Sequence, residues 1–274
     1  MRRRALLVTL PALTLVRGVS AQTKRARLAI VSPAISTGQM NQAAGGLFAG
    51  VLGELRRLGY AEGETLLVER YSVDGHSERL PAIVRDVVAS QPDCILAQSS
   101  ETAIPFKAAT TTIPIVAYAN NPVDHGLIAT FARPGGNVTG FAASPGAQIV
   151  GKRLQFLHEA APKATRIGFL SSKDEWERSL APAVDQIQQG APAGDHPWRL
   201  AVRRGGLMSY GVDTLASGAG LGDYIARILK GANPADLPYQ QPTQFELVLN
   251  LVAARQLRLK FPQSLLARAD EALE

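Results

Sequence analysis

Short apolar runs that alternate with amphipathic stretches constrain this chain more than any other feature of it. Arg27 to Val31 (RLAIV) is such a run, ending in Ser32-Pro33. After a Gly-containing loop the apolar residues Leu47, Val51, Leu52, Leu55 and Leu58 recur at helical spacing until Gly59. Leu66 to Tyr71 repeats the pattern, and Ser77 opens a helix that carries Leu80, Ile83, Val84, Val87 and Val88 on one face. Cys94 to Ala97 follows, then a short helix to Thr110, then Ile115 to Tyr118. Short strands that are apolar throughout are buried on both faces, as in a parallel sheet covered by helices on either side. The predicted fold class is therefore α/β, with a doubly wound, Rossmann-like sheet that takes its ligands at the carboxyl ends of its strands.

That rule selects residues. Ser32 follows the first strand, Ser99, Ser100 and Thr102 follow the third, and Asn120 and Asn121 follow the fourth, just before Pro122. Helix N-termini offer unpaired N–H groups and a partial positive charge, which suits a carboxylate or a phosphate. The simpler reading, that these Ser and Thr residues only cap helices, stands beside it. Beyond Asn121 a short helix-like segment is expected around Leu127, Ile128 and Phe131. The turn cluster Arg133-Pro134-Gly135-Gly136 then leads into a strand at Asn137 to Gly140. One lobe is expected to span residues 22–141 and a second 142–274.

The first residues are read separately. Arg2-Arg3-Arg4, an apolar run from Ala5 to Val16 and the small residues Val19-Ser20-Ala21 form a secretory signal peptide over 1–21, too short in its apolar part to span a bilayer. The formal charge of +6 includes Arg2, Arg3, Arg4 and Arg17, so removal of these four leaves +2. The basic balance therefore belongs mostly to the leader, and the scattered remaining cations exclude a nucleic-acid surface. Cys94 is the only cysteine, so no intramolecular disulfide forms, and none lies near Ala21 to carry a lipid. Within an apolar strand it reads as a buried side chain rather than a reactive thiol.

Past Gly140 the alternation resumes with a helix (Ile149, Val150, Arg153, Leu154, Leu157), a strand at Arg166 to Leu170 and a helix from Asp174. It breaks between Gln189 and Gly205, where a Pro/Gly linker and a basic segment leave room for one weak strand at Trp198 to Val202. Then come a strand at Gly206 to Tyr210 ending in Tyr210-Gly211-Val212-Asp213, and a helix with Leu221, Tyr224, Ile225, Ile228 and Leu229. A proline-rich connector, an apolar stretch from Phe245 to Leu251 and a last helix from Gln263 to Leu273 complete the chain.

The segments NPVDHGLIATFARPGGNVTG, GGLMSYGVD, ILKGANPADLP, QQPTQFELVLN and FPQSLLARADE, taken in this order, closely resemble the substrate-binding proteins of the tryptophan/tyrosine-type ABC transporter family. The resemblance implies a bilobal periplasmic-binding-protein fold of type I that closes on a small ligand. It implies a protein that brings an amino acid or related molecule to a membrane permease; with no cysteine near Ala21 the mature chain is expected free in the periplasm, a monomer without a cofactor. Carried over by position, it adds Tyr210 and Asp213 from the second lobe to Ser32, Ser99, Ser100 and Asn121 from the first. Asp213 would take an ammonium, and Tyr210 would stack on the ligand's side chain. Asn121 departs from the acidic residue common in that turn, and Asp213 reads equally as a helix N-cap. Family members carry further strand–helix units where this chain breaks after Gln189, so the second lobe is expected to be shortened by an internal deletion. An α/β enzyme is the main rival class, but the chain has no GxSxG, no GxGxxG after a strand, no P-loop and no His pair at metal-ligand spacing. A ligand sensor without transport, or a defective shortened family member, would look the same in sequence.

Overall fold

Alternate residues along each central strand face opposite ways, and both sets are apolar, so the first sheet is buried on both sides. The computed structural model describes residues 25–145, 148–164, 202 and 205–274. Five strands, β1 (Ala26–Ser32), β2 (Leu66–Ser72), β3 (Cys94–Ala97), β4 (Ile115–Tyr118) and β5 (Val138–Phe141), form one parallel sheet in the order β2-β1-β3-β4-β5. On one face Leu28, Ile30, Cys94, Leu96, Val116 and Tyr118 pack with α1 (Gly46–Arg57). On the other Ala29, Val31, Ile95, Ala97, Ile115 and Ala117 pack with α2 (Leu80–Ser90) and α3 (Ser100–Ala109). The α/β, doubly wound expectation is met in this sheet.

The chain leaves through α4 (Gln148–Ala160) and is described again from β6 (Met208–Val212). A second sheet has the order β6-β7-β8, with β7 at Phe245–Asn250 and β8 at Glu271–Leu273; β6 runs antiparallel to β7, and β8 parallel to it. Phe156 and Ala160 of α4 pack there with Leu247, Leu249, Ala254, Phe261 and Leu265, drawing in the short helices α6 (Leu251–Gln256) and α7 (Gln263–Leu266). Between β6 and β7 the chain returns to the first sheet. The helix α5 (Thr214–Leu229) lays Leu221, Tyr224, Ile225 and Ile228 into the core shared with α1, and Gln240 forms a parallel bridge with Phe141 at the sheet's edge.

Two local expectations are corrected. Residues around Leu127, Ile128 and Phe131 form hydrogen-bonded turns rather than a helix: Leu127 N–H donates to the Pro122 carbonyl at 2.7 Å, and Gly126 takes a φ of +63° that ends any helical run. The last helix stops at Leu266, and Glu271–Leu273 instead pairs with β7, whose edge offers backbone partners that a helix would leave unmet. Asp270 fixes the switch by accepting from Leu247 N–H at 2.7 Å. The leader at 1–21, the strand at 166–170, the helix from Asp174, the break after Gln189 and the weak strand at 198–202, apart from Val202, lie outside the described residues. No helix among those described is long and apolar enough to cross a membrane.

Candidate ligand-binding site

The strand order places a topological switch between β1 and β3: the connection leaving β1 runs through α1 on one face, and that leaving β3 runs through α3 on the other. Diverging connections open a crevice at the carboxyl ends of those two strands, where doubly wound sheets bind ligands. Gln98 is the first residue beyond β3 and sits at that point, its N–H donating to the Val31 carbonyl at 3.0 Å. Ser32, at the end of β1, is fully buried, and its Oγ accepts from Ile35 N–H at 2.9 Å to close the loop that follows.

Ser99 and Thr102 cap α3 reciprocally. Thr102 N–H donates to Ser99 Oγ at 3.1 Å, and Ser99 N–H donates to Thr102 Oγ1 at 3.2 Å, which meets two donors that the helix start would otherwise orphan. Both hydroxyls are thus engaged locally, and the capping alternative holds for this pair. Ser100 reaches the neighbouring strand end, donating through Oγ to the Asn120 carbonyl at 2.9 Å. That bond draws the start of α3 and the end of β4 together. Asn121 is exposed in the left-handed region at φ +44°, which Asn tolerates better than most residues, and its carbonyl accepts from His125 N–H at 3.0 Å.

Two oxygens at this edge stand out. Gln98 Oε1 and Asn120 Oδ1 are buried and have no hydrogen-bond partner. A buried acceptor left unmet costs about 1–3 kcal/mol, so such groups are rare unless something else supplies a donor. Asn120 is legible in the sequence as a polar residue after a strand. Gln98 has the same signal but is overshadowed by the hydroxyl run that follows it.

The second-sheet residues are placed differently. Tyr210 lies within β6, its ring stacked on Phe245 at 5.8 Å and edge-on to Phe156 at 5.0 Å, and its carbonyl accepts from Arg153 Nε at 2.7 Å. Burial pushes its phenol up from the ordinary range. Asp213 is the N-cap of α5: Oδ1 accepts from Ala216 N–H at 3.0 Å, and its own N–H donates to the Gln244 carbonyl at 3.0 Å where two crossing segments run side by side. The structure therefore gathers Ser32, Gln98, Ser99, Ser100, Thr102 and Asn120 at one sheet edge, with Asn121 beside them, Tyr210 on the other sheet and Asp213 at the crossing. A cavity of about 230 Å³ lies at the crossing between α5 and Gln240 to Gln244, away from Gln98 and Asn120. Among the described residues no group of three or more His, Cys, Asp or Glu is placed to hold a metal ion.

A residue that sequence reasoning passed over ties the crossing to the edge. Tyr239, in the return segment, is buried, and its Oη accepts from Ala119 N–H at 3.2 Å and donates toward the carbonyls of Ala117 at 3.1 Å and Ala119 at 3.3 Å. It braces the backbone immediately before Asn120.

A five-stranded parallel sheet with a polar switch-point edge, a second sheet and a chain that crosses between them define a periplasmic-binding-protein-like fold. The chain belongs to the family described as ABC transporter substrate binding protein, whose profile matches residues 31–191 and 199–273. The family consists of extracytoplasmic binding proteins rather than enzymes. Among curated proteins, a tyrosine-binding protein of Clostridioides difficile (strain R20291) is 28% identical over 148 residues, which is 54% of this chain and 41% of the relative. The chain thus matches about two-fifths of that relative's length. A conserved domain protein from Vibrio cholerae has the same fold with a TM-score of 0.75 at 24% identity, over 91% of this chain and 100% of that one. A Streptococcus pneumonia ABC domain solved in complex with L-Trp matches with a TM-score of 0.70 at 17% identity over the same shares. A substrate binding protein with adhesive properties from Clostridium difficile, in its ligand-free, open form, matches at 0.68 and 17% identity, over 90% of this chain and 99% of that one.

Proposed function

We propose that this chain is the solute-binding component of an ABC importer, which encloses an amino acid, aromatic in kind, between two lobes and hands it to a membrane permease. The observation that carries the reading is the polar edge at the β1/β3 switch point in a chain of this family. A curated relative named for tyrosine and a similar fold solved with L-Trp support the ligand class. In this reading the start of α3 at Ser99 and Ser100 receives the ligand carboxylate, Ser32, Thr102, Asn120 and Asn121 shape the first-lobe wall, and Tyr210 and Asp213 approach from the other side. The mature protein is a monomer in the periplasm, freed of residues 1–21. Its lobes are residues 22–141 and 142–274, with α5 of the latter packed on α1.

A second reading rests on one observation: the family match is interrupted at 192–198, within the segment where strand–helix alternation stops. An internal deletion there would leave the second lobe with unpaired strand edges and a weak closed state. Thermal unfolding of residues 22–274 against a panel of amino acids and small carboxylates separates the two. A ligand at 100 times its dissociation constant stabilises by about 2.7 kcal/mol, which raises the melting temperature of a chain this long by roughly 5 to 10 °C. A shift of that size with aromatic amino acids supports the binding protein. A broad transition with no shift supports the defective, shortened member.

A further inference from the structure

Gln98 and Asn120 end neighbouring parallel strands, Ala97 pairing with Ala117, and the Ser100 hydroxyl bridges from the helix after Gln98 to the Asn120 carbonyl at 2.9 Å. The side-chain oxygens of both are buried without a donor. Of the other polar side chains at this edge, Ser32 is engaged with its own loop, Ser99 with Thr102 and Ser100 with the Asn120 carbonyl, while Asn121 is exposed. The carboxylate expected to meet a ligand cation, that of Asp213, caps α5 through Oδ1. One acceptor without a donor thus lies at the switch point and a second at the neighbouring strand end, whereas Asp213 lies at the crossing and holds the start of α5 through one of its two carboxylate oxygens.

From this we infer that Gln98 and Asn120 form the specificity-determining pair for the ligand's ammonium group, a role that sequence position alone would give to Asp213. The inference rests on the binding-protein reading above. A nitrogen bearing several N–H donors can serve two acceptors at adjacent strand ends at once, and a charged donor makes the stronger bonds. A ring N–H or a phenol offers one hydrogen and satisfies one of the two. The pair is uncharged, so it favours a ligand that carries its own balancing carboxylate over a simple diamine. An analogue lacking the ammonium would leave both oxygens unmet, and sites built on such hydrogen bonds reject analogues that lack the group.

The test pairs each amino acid with its des-amino counterpart: L-tyrosine with 3-(4-hydroxyphenyl)propionate, and L-tryptophan with 3-(indol-3-yl)propionate. Binding to residues 22–274 is followed by calorimetry for the wild type, Gln98→Leu, Asn120→Leu and Gln98→Glu. The wild type is expected to prefer the amino acid by about 100-fold or more. Gln98→Leu and Asn120→Leu should each cut that preference by about 10-fold while leaving affinity for the des-amino acid within about twofold. Gln98→Glu, which keeps the acceptor, should retain the preference. Because each Leu replaces an acceptor that has no partner, the ligand-free variants should melt no lower than the wild type, which separates lost recognition from lost folding. Equal wild-type affinity for both members of a pair, or a preference that survives in the folded Leu variants, overturns the inference and leaves the binding reading intact. No binding of any of the four compounds to the wild type overturns both.

Discussion

Gly218 of α5 lies against the Leu47 backbone so closely that a β-carbon there would fall 2.1 Å from the Leu47 carbonyl oxygen. Gly50 on α1 faces the Leu215 carbonyl in the same way at 2.2 Å, and Gly222 faces the Val51 carbonyl at 2.8 Å. The two helices therefore meet backbone to backbone, and this contact fastens the returning helix onto the first sheet. Gly218→Ala gains a little helix propensity but must push the helices apart, so a net loss of about 2 kcal/mol is expected. A fall of the urea midpoint with an unchanged m-value checks it.

Tyr239 is expected to matter through its hydroxyl alone. Tyr239→Phe keeps the edge contact with Phe131 at 5.9 Å but loses the bonds to the end of β4, at a cost of about 1 kcal/mol, read as a melting temperature lower by roughly 2–4 °C. Burial holds the phenol above the usual tyrosine range. Its folded-state value is raised, so its contribution is complete below the unfolded value near pH 10 and is lost as pH rises beyond it. The alkaline fall in wild-type stability should therefore be shallower in Tyr239→Phe.

Asp213 should tolerate loss of charge. Asn caps a helix about as well as Asp, so Asp213→Asn is expected to keep both stability and amino-acid affinity, whereas Asp213→Ala should cost about 1 kcal/mol in unfolding. A large loss of affinity in the Asn variant at unchanged melting temperature would return the ammonium to Asp213.

Glu159 and Arg268 join α4 to the turn after α7 by a charge-assisted hydrogen bond, and that bond holds the Glu159 carboxyl below its usual range. A depressed folded-state value means stability that is present above the unfolded value and lost as pH falls through the folded one. The pair is solvent-exposed and the effect small. Glu159→Gln should flatten the acid side of the melting profile below about pH 4.3 and leave neutral stability nearly unchanged.

Cys94 is fully buried between β1 and β4, and burial pushes its thiol up to about 12. Iodoacetamide at pH 8 should leave it unmodified in the native protein and label it fully in urea, as mass spectrometry would show.

The alternation of apolar runs and helical faces was legible because it is written within a few residues: the strands around Leu28, Ile95 and Val116 and the faces of α1 and α2 appear where that pattern places them. The same holds for Ser99 with Thr102, three residues apart, and for Asp213 as a cap. The end of the chain is ambiguous in sequence because the apolar residues from Gln263 to Leu273 suit a helix as well as a strand, and only the open edge of β7 makes Glu271–Leu273 a strand. The contacts that decide the site span far more of the chain. Tyr239 braces Ala119 from 120 positions away, Gly218 meets Leu47, and Ser100 meets Asn120, each depending on which strand lies beside which. Local pattern in the sequence thus determined the elements of the first sheet, its parallel type and its polar strand ends. Tertiary structure alone decided which polar groups are already partnered, because a hydroxyl and an amide look equally available until the fold has brought, or failed to bring, a donor within reach.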